Sequence, residues 1–153
     1  MDKSIIEGVV VSPRSQFVDE RGKIMHMLRS DDLEFQGFGE VYFSWVNPGM
    51  IKAWHLHSEM TLTYTCPIGL VKLVLFDDRP GSATAGNLME IFLGPECYEL
   101  VQVPPGVWNG FRGVSTNPSM VCNCASIPHR PDEITRLDPF SESIPYDWAP
   151  RHG

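Results

Sequence analysis

Two histidines set two apart, His55 and His57, are the residues of this sequence best suited to chemistry. They lie within residues 49–69, where apolar and β-branched residues dominate and a glycine at each end marks a turn. That pattern predicts two strands joined by a polar connection near Ser58. On a strand, a spacing of two puts both imidazoles on one face, with Lys52 close upstream. Three cationic or titratable groups are an unusual load for a short core strand. The plainer alternative is a solvated pair on an edge strand. The sharper one, preferred here, is a pocket wall where an imidazole handles protons or a metal.

The elements that position this stretch are short. Runs of strand type recur at 5–11, 23–29, 41–46, 51–57, 61–66, 70–77, 88–93, 98–103 and 119–125, separated by turns rich in Gly and Pro. Thirteen glycines and thirteen prolines punctuate the chain, and the one helical candidate is the turn at 131–137. Many short strands at regular spacing predict an all-β antiparallel sandwich or barrel. At 153 residues and 42% hydrophobic content, the chain suits a single domain, 1–153. The tail beyond residue 137 is expected to pack irregularly over the barrel surface.

A formal charge of −7 excludes nucleic acid as the main partner, since phosphate backbones call for a basic face. A small anionic ligand stays compatible, because a few local cations suffice to hold one. No stretch reaches membrane-spanning or signal-peptide length, so a soluble, cytoplasmic protein is expected. The four cysteines contain no C-x-x-C pair and read as free thiols in a reducing compartment, with zinc on Cys122 and Cys124 a minor alternative. Trp54 and Trp108 stand out among the aromatics, because each abuts a polar residue in a Gly-bounded stretch.

Gly49-x5-His55-x-His57 followed by Gly69 resembles the first motif of the cupin superfamily, and Pro104-Pro105-Gly106-Val107-Trp108-Asn109 echoes the second. Metal-binding cupins complete the site with a Glu and a further His; here those places fall near Thr61 or Leu62 and on Asn109. Two histidines alone rarely hold a catalytic metal, so no metal or other cofactor is expected.

A closer resemblance, to the dTDP-4-dehydrorhamnose 3,5-epimerase family of metal-independent cupins, covers most of the chain. Asp19-Glu20-Arg21-Gly22 matches the family's D-E-R-G, and Lys52-Ala53-Trp54-His55 lies where it has R-G-L-H. The stretch from Asp77 to Gly86 is similar to D-x-R-x-x-S-P-T-x-G, and that from Val103 to Phe111 to I-P-x-G-F-A-H-G-F. The resemblance implies a cupin jelly-roll homodimer, with an N-terminal strand lent to the neighbouring subunit. It implies a nucleotide-diphosphate 4-keto-6-deoxy sugar as substrate, epimerised by proton removal and return next to the ketone. His55 falls on the family's base, and Arg21 and Lys52 on positions facing the diphosphate. Trp108, Asn109, Asn123 and His129 are the further substrate-contact candidates.

The departures are specific. The family's acid tyrosine falls on Asn123, a second tyrosine falls near His129, the lysine heading the next strand falls near Leu62, and the glutamate after D-E-R-G falls near His26. No counterpart of the family's Asp partner for the histidine is found after Tyr146-Asp147-Trp148. Tyr64, His57 and His129 are the candidates to replace the missing acid. A sugar 3,4-ketoisomerase, whose cupin family carries a similar H-x-H pair, is the alternative within the same chemistry; a non-catalytic nucleotide-sugar-binding cupin is the alternative outside it.

Overall fold

The computed structural model describes residues 5–153 and contains twelve strands and one short 3₁₀ turn. In order these are β1 (Val10–Pro13), β2 (Gln16–Asp19), β3 (Gly22–Met25), β4 (Glu40–Val46), β5 (Ile51–His57), β6 (Leu62–Ile68), β7 (Val71–Asp77), β8 (Leu88–Leu93), β9 (Glu99–Val103), β10 (Val107–Gly113), β11 (Ser119–Ala125) and β12 (Ile134–Arg136). One sheet runs β1-β9-β6-β11-β4 and the other β12-β5-β10-β7-β8, and every pairing is antiparallel. β2 and β3 form a separate hairpin whose two-residue tip is Glu20-Arg21. The two sheets face each other as the jelly roll of a cupin. None of the described helices is long and apolar enough to cross a membrane.

Alternation explains the core. Leu62, Tyr64 and Cys66 of β6 and Val121 and Ala125 of β11 meet Leu73 and Leu75 of β7 and Val107 and Phe111 of β10 between the sheets. Each such side chain contributes about 1.5–3 kcal/mol by leaving water. β7 is buried along its whole length, because a second cluster covers its other face. There Val74, Phe76, Trp54 and Trp108 lie beneath Ile144 and Trp148 of the C-terminal segment. Trp54 and Trp148 pack with ring centroids 5.1 Å apart and planes tilted by 42°. Backbone bonds between Trp54 and Leu137 stitch this cover to β5.

Three local features differ from the sequence reading. The helical candidate is a 3₁₀ turn, Pro131–Glu133, followed by a strand, because Ile134 and Thr135 are β-branched and pair with β5. The 107–113 stretch, read as a motif rather than a strand, is a central strand. Gly110 lets it approach β5, since a Cβ there would sit 2.3 Å from the Cβ of Ala53. The N-terminal strand runs from Val10 to Pro13, later than expected, and a further strand forms at Gln16–Asp19.

The motif that begins at Asp77 is a structural knot. The buried Asp77 carboxylate accepts bonds from Arg79 Nε (2.9 Å), Ser82 Oγ (2.7 Å) and Thr84 Oγ1 (2.6 Å). Arg79 also donates to the carbonyl of Glu7 at 2.6 Å, which ties the N-terminal segment to the β7–β8 loop. All four cysteines are free, and burial pushes the Cys66 thiol up to about 11, which keeps it inert.

Candidate active site

The histidine face of β5 opens into a cavity of about 290 Å³ between the edges of the two sheets. Its walls are His55 and His57 from β5, Glu40 and Tyr42 from β4, Met60, Tyr64 from β6, His129, and Ile134 and Arg136 from β12. The alternation of β4 sends Glu40, Tyr42 and Ser44 inward and leaves Val41, Phe43 and Trp45 outside. Phe43 and Trp45 are 60% and 50% exposed.

His57 is almost completely buried, and its Nδ1 lies 2.5 Å from Glu133 Oε1. Glu133 is held in turn, for its Oε2 accepts the backbone N–H groups of Glu59 (3.2 Å) and Met60 (3.1 Å). Burial alone would raise this carboxyl; the bonds from His57 and Met60 outweigh it and hold it below the ordinary range. An ionised Glu133 fixes the proton of His57 on Nδ1 and leaves the Nε2 lone pair for the cavity.

His55 sits differently. Among the described residues no carboxylate meets its ring, and burial, Arg136, His57 and Lys52 together lower its pKa to about 4. It is therefore neutral near pH 7. Arg136, its partner in the β5–β12 register, brings a cation to the same wall.

Two tyrosines face these histidines. Tyr64 Oη donates to Asn109 Oδ1 at 2.9 Å, and Asn109 Nδ2 donates to the carbonyl of His55 at 3.1 Å. Asn123 accepts from the backbone N–H of Thr63 at 3.0 Å and donates to Tyr42 Oη at 3.1 Å. Burial raises both phenols, Tyr64 well above its ordinary value.

The structure brings His55, His57, Tyr64 and His129 to one cavity. Asn109 and Asn123 stand behind its tyrosines rather than on its wall. Lys52 does not line the cavity; it is exposed and donates to Ser44 Oγ (2.7 Å) and the carbonyl of Trp45 (3.1 Å). Arg21 is elsewhere, at the tip of the β2–β3 hairpin, 2.6 Å from Asp19. Trp108 points away from the cavity, into the cluster under the C-terminal segment. Glu133, Tyr42, Glu40 and Arg136 escaped sequence reasoning. Only the E-V-Y-F-S-W-V alternation of β4 carried a readable signal, a polar face opposite an apolar one. Among the described residues, no three His, Cys, Asp or Glu side chains converge to hold a metal ion.

A model of the dTDP-4-dehydrorhamnose 3,5-epimerase family matches residues 3–152. The chain belongs to that family. Its relatives include a protein described as a probable low-salt glycan biosynthesis epimerase from Haloferax volcanii. That protein is 33% identical over 131 residues, 84% of this chain and 81% of its own. The spore coat polysaccharide biosynthesis protein SpsL of Bacillus subtilis is 29% identical over 146 residues, 94% of this chain and 97% of its own. A crystal structure described as a dTDP sugar isomerase from Desulfovibrio desulfuricans G20 superposes with a TM-score of 0.93 at 42% identity, covering 96% of this chain and 94% of that one. In this chain the buried carboxylate of Glu133 is the partner of His57.

Proposed function

We propose that the protein epimerises a nucleotide-diphosphate 4-keto-6-deoxy sugar at a carbon next to its ketone, with His57 as the base. The observation that carries the reading is the buried His57–Glu133 pair, which aims a free imidazole nitrogen into the cavity. His57 Nε2 takes the proton from the carbon, and the C–H electron pair moves into an enolate whose charge rests on the ketone oxygen. A neutral His55 and the Arg136 cation line the same wall and supply donors for that oxygen. This moves the base from His55, the position the family resemblance indicates, to the histidine that has a carboxylate.

At about 290 Å³ the cavity takes a sugar ring rather than a whole nucleotide sugar. The diphosphate then lies toward the rim, near Lys52 and Arg136. A second copy of the chain completes the nucleotide side in this reading, with Arg21 acting across the interface. The apolar outer faces of β4 (Phe43, Trp45) and of the hairpin (Phe17, Val18, Ile24) support that homodimer. A cytoplasmic setting accords with a nucleotide-sugar substrate.

The test is incubation with a dTDP-linked 4-keto-6-deoxyhexose in deuterated buffer. One deuterium at C3 with inversion there, and little at C5, is the expected outcome; His57→Asn abolishes it. His55 and His57 facing the cavity from one strand favour a second reading, a 3,4-ketoisomerase, which a ketone appearing at C3 would establish. No exchange in any such sugar would leave a binding protein.

A further inference from the structure

We propose that Tyr42 is the acid that returns the proton, and that the amide of Asn123 is what keeps its hydroxyl available. This rests on the epimerase reading and adds the group that makes the reaction an inversion.

Two tyrosines line the cavity, and hydrogen-bond direction separates them. A backbone carbonyl can only accept, so the contact to the carbonyl of His55 fixes which end of the Asn109 amide is Nδ2. Its Oδ1 then faces Tyr64 and can only accept. The single proton of Tyr64 is committed inside the protein. A backbone N–H can only donate, so the contact from Thr63 fixes Asn123 the other way round. Its Nδ2 faces Tyr42 and donates to the phenol oxygen. The proton of Tyr42 therefore has no acceptor among the described protein groups, and Tyr42, 41% exposed, lines the cavity. The two asparagines give the two tyrosines opposite polarity.

Placement completes the argument. Tyr42 stands on β4 in one sheet and His57 on β5 in the other, so the two groups approach the ring from opposite walls. His57 removes the proton from one face, and the C–H pair becomes the enolate. The enolate pair then forms a new C–H bond on the other face with the Tyr42 proton, and the O–H electrons remain on the phenolate. The Asn123 N–H that already points at this oxygen steadies the anion. Loss of one proton from His57 to water and gain of one by Tyr42 reset the site.

The experiment compares Tyr42→Phe, Tyr64→Phe and Asn123→Asp with the unaltered protein, on dTDP-4-keto-6-deoxyglucose in deuterated buffer, reading deuterium uptake and inversion separately. Tyr42→Phe is expected to lower inversion at least about 100-fold, the scale of a lost general acid. Uptake with retained configuration should persist, because His57 still exchanges with solvent and redelivers to the same face. Asn123→Asp offers Tyr42 an acceptor, turns its proton inward and should show the same separation if Tyr42→Phe folds poorly. Tyr64→Phe should not change the ratio of inversion to uptake. An unchanged ratio in both folded Tyr42 and Asn123 variants, equal loss of uptake and inversion in both, or a ratio that falls in Tyr64→Phe instead, overturns the assignment. Absence of both uptake and inversion in the unaltered protein overturns the epimerase reading and this proposal with it.

Discussion

Replacing Glu133 by Gln tests the base by changing its tautomer while keeping its shape. In the native site one carboxylate oxygen accepts two backbone N–H groups, and the other accepts His57 Nδ1. A glutamine must turn its oxygen toward the same two N–H donors, since its NH₂ cannot accept from them. The NH₂ then points at His57 Nδ1 and donates to it. His57 must carry its proton on Nε2, so the cavity meets an N–H instead of a lone pair. The equivalent swap in a serine-protease triad lowers kcat about 10⁴-fold for the same reason. A loss of about 10³–10⁴-fold is expected here, or about 4–5.5 kcal/mol of barrier at about 1.36 kcal/mol per decade. The assay is deuterium uptake next to the ketone as a function of pH, with thermal melting as the control. Both backbone donors stay satisfied in Glu133→Gln, so stability should change by no more than about 1–2 kcal/mol. Glu133→Asp keeps the charge and should recover part of the rate; a merely structural role would not distinguish the two variants. A Glu133→Gln protein working within about tenfold of the native rate would falsify the dyad.

Further outcomes follow from the same contacts. Unfolded His55 takes a proton near about 6.5, but folded His55 only near about 4, so the unfolded state binds more protons between these values. Stability should fall as pH drops through that window, and His55→Asn should flatten the slope in urea titrations; an unchanged slope refutes the reading. Burial would raise Asp77, but bonds from Arg79, Thr84 and Ser82 outweigh it and hold it well below the ordinary range. Its contribution is full above the ordinary Asp range and fades as pH falls below it toward the folded value. Asp77→Ala should cost about 3–5 kcal/mol in urea unfolding, and a loss below about 1 kcal/mol would show that the knot is dispensable. Arg136→Ala should weaken nucleotide-sugar binding by about 1.5–3 kcal/mol in calorimetry, whereas unchanged affinity would confine Arg136 to its effect on His55.

The strands were legible wherever glycine and proline bounded an apolar run. β5, β8 and β11 span the residues that pattern indicated, and β7 differs by one. β10 was obscured because Gly110 and Gly113 lower strand propensity at the places where close approach demands them. The histidine face followed from a spacing of two. The same rule read one residue further places Trp108 outward once Asn109 faces in. What hid this is the C-terminal cover, which makes an outward tryptophan a buried one. Glu133 and Tyr42 were not legible, because their partners His57 and Asn123 lie 76 and 81 residues away and only folding joins them. Asn123 stands where the family resemblance looks for a tyrosine, and its cross-strand neighbour is Tyr42. The hydroxyl is one strand over.

The sequence separation of 76 between His57 and Glu133 also bears on how the protein is made. During translation His57 leaves the ribosome long before its carboxylate, by about 4–15 s at about 5–20 residues per second. A nascent chain that already holds β5, β6 and β7 has the imidazole, yet nothing to fix its tautomer. β12 and the cover over Trp54 follow directly on Glu133, so the closing of the outer layer and the arming of the base belong to one late event. Exchange activity in a cell-free translation reaction should therefore appear abruptly once chains extend past Trp148, making turnover a reporter of finished folding rather than of chain length.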